Sequence, residues 1–168
     1  MFPLKRILCP LDFSAGSRAA LSAAGEMALY FSAELTVLHV YDTPIPTVWP
    51  YEGFGVNPIE AGLSREESLV LRKKELAAEA QEVLPEGLDL RLVIREGVPA
   101  EEIIEEAHKR KVDMIVMAPH SHGRLHDAIF GSTAVRVVKQ APCPVVTMHA
   151  GRESEGNPAK SGTKQAQA

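Results

Sequence analysis

The chain has 168 residues, of which 45% are apolar and 24% charged, with 18 basic against 22 acidic side chains and a net charge of −4. That balance is globular and excludes a disordered polymer. It carries none of the basic excess of a phosphate-backbone binder, so nucleic acid is not an expected partner. No apolar run approaches the ~20 residues that span a bilayer, so a membrane is not expected either.

Residues 1–150 read as one domain and residues 151–168, poor in apolar side chains, as a disordered tail. The stretch Met1 to Cys9 lacks the cationic start, longer apolar segment and small-residue cleavage site of a signal peptide. Cys9 and Cys143 are the only cysteines, too few for a disulfide framework or a four-cysteine zinc site. The expectation is a soluble cytoplasmic protein.

Short strand-like runs alternate with helical periods. Arg6 to Cys9 is the first strand, and Ser14 is placed to cap a helix reaching about Phe31. Ala20, Leu21, Ala24, Met27, Ala28 and Phe31 fall on one face of that helix. Leu35 to Val40 is a second, β-rich strand. Residues 43–63, with Pro44, Pro46, Pro50 and Pro58 among glycines, forbid regular structure. Trp49, Tyr51 and Phe54 in that loop could cover a ligand, pack on a partner subunit or fold onto their own surface. Ser64 and Glu67 suggest a capping box opening a charged helix to about Val83.

Leu88, Leu90, Leu92 and Ile94 alternate with Asp89, Arg91, Val93 and Arg95, which predicts a third strand with one covered face at a sheet edge. Pro99 and the acids Glu101 and Glu102 mark a helix start, while Lys109, Arg110 and Lys111 suit its negative end. Met114 to Ala118 is apolar without alternation, as a central parallel strand requires. Gly131-Ser132-Thr133 opens a helix to about Gln140, and Pro144 to Met148 is the last strand. Five strands alternating with four helices give an open α/β sheet with right-handed crossovers.

In such a sheet the ligand site lies beyond the carboxyl ends of the strands, at the switch point in strand order. This selects Pro10 to Asp12, Val40 to Asp42, and Ala118 to Thr133. No P-loop, dinucleotide-binding fingerprint or nucleophile elbow is present. Amides at the Gly131-Ser132 helix start could hold phosphate, or the pair could simply cap the helix. His120, His122 and His126 lack a Cys or Glu partner at a familiar ligand spacing, which favours a solvated loop over a metal site. Asp12 could bind a polar ligand group or cap the helix that follows it.

Three stretches carry a family resemblance. They are Arg6-Ile7-Leu8-Cys9-Pro10-Leu11-Asp12-Phe13-Ser14, then Glu96-Gly97-Val98-Pro99-Ala100-Glu101-Glu102-Ile103 with Val112 to Met117, then Gly131-Ser132 with Ala141-Pro142-Cys143-Pro144-Val145-Val146. Together they resemble the universal stress protein family over residues 3–149. The resemblance implies a five-stranded α/β domain and a homodimer paired through the last strand, Pro144 to Met148. It also implies a role in the stress response. The alternation in Leu88 to Arg95 against the unbroken run Met114 to Ala118 predicts a parallel sheet ordered 3-2-1-4-5 with helices on both faces.

Many members resemble one another further in an ATP site with three glycines after the fourth strand. Here Ala118-x2-Ser121-x9-Gly131-Ser132 stands in that frame, so the third glycine is kept and the first two are replaced. A register using Gly123 leaves only the seven residues Arg124 to Phe130 before Gly131, and the unshifted register is preferred. Replacing glycine at a strained position costs on the order of 1 kcal/mol.

The resemblance therefore implies a weakened site for ATP, with magnesium or manganese as its counter-ion. It would place Pro10, Leu11, Asp12 and Val40 near the adenine and ribose. Met117, Ala118, His120, Ser121, Gly131, Ser132 and Thr133 would lie around the phosphates. The alternative is an ATP-independent dimeric scaffold or signalling partner whose pocket is vestigial. Slow ATP hydrolysis or self-phosphorylation through Ser132 or Thr133 ranks last, because no general base is identifiable in the sequence.

Overall fold

The computed structural model describes residues 4–41, 65–119 and 130–149. They form β1 (Arg6–Pro10), α1 (Ala15–Phe31), β2 (Glu34–Tyr41), α2 (Arg65–Val83), β3 (Leu90–Glu96), α3 (Pro99–Arg110), β4 (Met114–Met117), α4 (Ser132–Gln140) and β5 (Val145–Thr147). The sheet is wholly parallel, in the order β3-β2-β1-β4-β5. The expected architecture is the one observed.

β1 lies at the centre because both of its faces are apolar. Ile7 and Cys9 pack beneath α1 and α2, while Leu8 packs beneath α3 and α4. All three side chains are fully covered, and each large one removed from water contributes about 2 kcal/mol. The last turn of α1 departs from its predicted face. Phe31 remains 36% exposed and lies edge-on to Tyr30, with ring centroids 5.0 Å apart. The inner face of α1 is instead completed by Ser17 and Gly25. Gly25 lets α1 approach the turn after α2 so closely that a Cβ there would stand 2.6 Å from Leu84 Cδ2 and 3.1 Å from Pro85 Cδ. Arg18 clamps the two helices together, its guanidinium meeting both carboxylate oxygens of Glu79 and reaching Glu82 at 3.2 Å.

β3 is an edge strand as expected, but it begins at Leu90 rather than Leu88. Its covering also differs from a simple alternation. Leu88 and Ile94 reach the core under α1 and α2, and Val93 reaches the other core. Leu90 and Leu92 stay exposed in an open cleft beside α2. Ala77, Ala80 and Gln81 of α2 line the other side of that cleft.

On the opposite face α3 is fixed by Glu106. Its side chain is buried, accepting from Arg95 on β3 at 2.7 Å and from Arg110 one turn along the helix. Burial pushes this carboxyl up, and the two arginine hydrogen bonds outweigh it, so its pKa lies below the usual range.

Ser64 of the expected capping box, the loop aromatics Trp49, Tyr51 and Phe54, and the tail from Gly151 lie outside the described residues.

Candidate nucleotide site at the carboxyl end of the sheet

Strand order reverses between β1 and β4, where a parallel sheet places its ligand site beyond the carboxyl ends of the strands. After β1 the chain turns sharply into α1 through Phe13, whose φ of 62° is rare for a bulky residue. Asp12 holds this turn. Its Oδ1 accepts from the Ser14 amide at 3.0 Å and from Ser14 Oγ at 2.6 Å. Ser14 Oγ in turn accepts from the Ser17 amide at 3.2 Å, which caps α1. The cap expected of Asp12 is therefore made by Ser14, and Asp12 holds the turn through Ser14 instead.

Leu11 frames the site from within the core. Its amide donates to the Leu38 carbonyl at 2.9 Å, and its own carbonyl accepts from His39 Nδ1 at 2.9 Å. Pro10 ends β1 and Val40 is the last residue but one of β2, both half-buried. Met117 is buried at the end of β4, its carbonyl engaged by the Met148 amide at 2.9 Å. Ala118 follows, half-buried.

The Gly131 amide donates to the Pro119 carbonyl at 2.8 Å, which seats the start of α4 against the end of β4. Gly131 is the N-cap, and among the described residues no side chain caps the helix. The first turn of α4 holds no acid, whereas that of α3 holds Glu101 and Glu102 and that of α2 holds Glu66 and Glu67. Amides of the first turn have no partner within their own helix, and the dipole makes this end positive. Arg136, one turn further on, pairs with Glu101 at 2.7 Å. The start of α4, with the Ser132 and Thr133 hydroxyls beside it, is chemically suited to an anion.

Two expectations change. Gly131 has φ −61° and ψ 154°, a conformation open to any residue, so glycine is not required there by backbone strain. Ala118 is also absent from the non-glycine residues with positive φ, which are Phe13, Ser32 and Lys111. The dihedral cost expected for alanine at position 118 therefore does not arise, and only the bulk of its Cβ remains. His120 and Ser121 lie outside the described residues, as do His122 and His126. Among the described residues no group of three or more His, Cys, Asp or Glu side chains is placed to hold a metal ion.

His39 was not anticipated. It lies on the face of β2 shared with Leu35 and Val37, is only 7% exposed, and faces the Phe13 ring at 4.7 Å between centroids. Its Nε2 is covered and meets no partner among the described residues. Burial lowers its pKa first, and the Leu11 hydrogen bond only partly opposes this. A histidine in phase with buried Leu35 and Val37 was the available signal. Cys9, by contrast, is chemically quiet, because burial pushes its thiol up to about 12.

Residues 3–149 match the universal stress protein family. The chain belongs to that family. Among its relatives, universal stress protein MJ0531 of Methanocaldococcus jannaschii is 35% identical, over 86% of this chain and 81% of the relative. Stress response protein NhaX of Bacillus subtilis is 32% identical, over 87% and 98%. Of solved structures, the universal stress protein UspA from Lactobacillus plantarum superposes with a TM-score of 0.63 at 25% identity, over 87% of this chain and 98% of that one.

Two further universal stress proteins share the fold. One is solved in complex with cAMP, with a TM-score of 0.61, 18% identity, and coverage of 88% and 98%. The other, from Archaeoglobus fulgidus, is solved in complex with dAMP, with a TM-score of 0.56, 21% identity, and coverage of 88% and 99%. Among the described residues no helix is long and apolar enough to cross a membrane.

Proposed function

We propose that this universal stress protein binds an adenine nucleotide, ATP foremost, at the carboxyl end of its sheet and acts in the stress response through that binding. The observation that carries the reading is the start of α4, free of acids in its first turn, without a side-chain cap among the described residues, and tied to the end of β4 by the Gly131–Pro119 hydrogen bond. The cAMP and dAMP complexes of two proteins with this fold support it.

Phosphates would lie against the amides of Ser132, Thr133 and Ala134, close to Ala118 and Ser121. The adenine and ribose would lie toward Asp12 and Val40. Phosphate oxygens and the hydroxyls of Ser132 and Thr133 would hold a magnesium or manganese ion, since hard cations prefer oxygen donors. When bound, that ion would neutralise phosphate charge.

A scaffold without nucleotide is favoured by one feature, the Ala118 Cβ at the approach to the helix start. Homodimerisation through the free edge of β5 belongs to either reading, because an unpaired edge strand invites a partner.

The test is titration calorimetry with ATP and magnesium on the parent and two variants, after denaturation of the purified protein to detect released nucleotide. Ala118→Gly with Ser121→Gly should bind several-fold more tightly, because two side chains leave the phosphate approach. Gly131→Val should keep the fold, since its backbone suits valine, and should lose binding. No ATP heat from the parent or the double-glycine variant would leave only the scaffold.

A further inference from the structure

A second charged site lies at the opposite, amino end of the sheet. An open cleft of about 380 Å³ is lined by Arg6, Glu34, Lys109, Arg110 and Lys111. Arg6 and Glu34 are neighbours in register on β1 and β2. The three other residues end α3, where Lys111 closes the helix in a left-handed conformation with φ 51°.

The charges within the cleft do not cancel. Arg110 is held by the buried Glu106. Glu34 is turned to Arg91, which donates to it at 3.2 Å, and to Thr36 Oγ1 at 3.4 Å. Asp113, beside the cleft, spends Oδ2 on the main-chain amides of Lys5 and Arg6, each at 2.9 Å. Arg6, Lys109 and Lys111 are left with no carboxylate partner among the described residues. The Arg6 Nε–H is covered and meets no acceptor among the described residues.

A helix carboxyl end carries about half a negative charge and attracts a cation. The last turn of α3 already holds His108, Lys109 and Arg110 before Lys111 is counted. Arg6 comes from a different element altogether, so the helix dipole does not explain its presence. Three cations without a carboxylate partner among the described residues thus converge on this cleft from two elements, in a chain of net charge −4. A guanidinium and two ammonium groups match phosphoryl oxygens, the guanidinium as a planar fork and the lysines as point charges.

We propose that this cleft binds a phosphoryl polyanion of pyrophosphate size, separately from the site at the carboxyl end. The test uses the full chain, isotopically labelled, and inorganic pyrophosphate as the probe, with sodium chloride matched to about 0.15 M throughout. Amide shifts should saturate at Arg6 and at Lys109 to Val112, with Ser132 and Thr133 unmoved.

Lys109→Gln combined with Lys111→Asn should raise the dissociation constant at least tenfold. Both positions are exposed and asparagine tolerates the left-handed cap, so the fold is retained. Shifts confined to Ser132 to Ala134, unaltered affinity in the double variant, or an equal response to sulfate would each overturn the proposal. The first of those outcomes would support the nucleotide reading while removing this one, so the two fail independently.

Discussion

The imidazole of His39 donates from Nδ1 to the carbonyl oxygen of Leu11 at 2.9 Å, tying the end of β2 to the turn that leads from β1 into α1. Nε2 lies covered, with no acceptor for a second proton among the described residues. Desolvation is the main cause that holds the His39 pKa below its ordinary 6.5. Below pH 6.5 the unfolded chain therefore binds a proton that the native ring resists, and stability falls with falling pH. Chemical denaturation between pH 7.5 and the lowered native pKa should show this slope, and His39→Leu should flatten it. An identical slope in the variant would show that another group is responsible.

Glu106 answers in a lower window. Its native pKa is depressed, so its contribution is present above the ordinary carboxyl value and is lost as pH falls through the native value. Glu106→Ala removes the shared acceptor of Arg95 and Arg110. It should cost about 3 kcal/mol, the usual effect of breaking a buried ion pair. Urea unfolding at neutral pH measures this, and a change under 1 kcal/mol would mean the arginines re-solvate freely.

Gly25 is a packing glycine. Substitution by valine drives a branched side chain into Leu84 and the rigid Pro85 ring. Gly25→Val should destabilise by about 2 kcal/mol, as overpacked cores do. Unchanged thermal unfolding would show that the turn after α2 yields without cost.

The proposed dimer has a backbone test. Pro144 O and Met148 N both bond to β4, so by strand alternation the Val145 and Thr147 amides point to the free edge. Thr147→Pro removes one outward donor and spares the bonds to β4. It should shift sedimentation from dimer to monomer while leaving the far-ultraviolet spectrum intact. Val146→Lys is a poorer probe, because Val146 packs on the core under α1. A Thr147→Pro protein that remains fully dimeric would rule out edge pairing at β5.

The order of elements was legible in the sequence because short-range rules govern it. Ser14 and Pro99 announce helix starts through capping and fixed φ. The unbroken apolar run Met114 to Ala118 signals cover on both faces, and the alternation in Leu88 to Arg95 signals an edge. From these the sheet, its switch point and the segments around it follow, including the Gly131–Ser132 start of α4.

The sequence could not show how those segments close on one another. Only the folded chain brings His39 Nδ1 onto Leu11, assigns the Asp12 carboxylate to Ser14, and seats Gly131 on Pro119. Only tertiary packing decided that Leu90 and Leu92 stay bare, and that Arg6 joins Lys109 and Lys111 across more than a hundred residues of chain. Periodicity records which side a residue faces. Partners distant in sequence are fixed only when the layers pack, because packing sets the distances on which hydrogen bonds and charge depend.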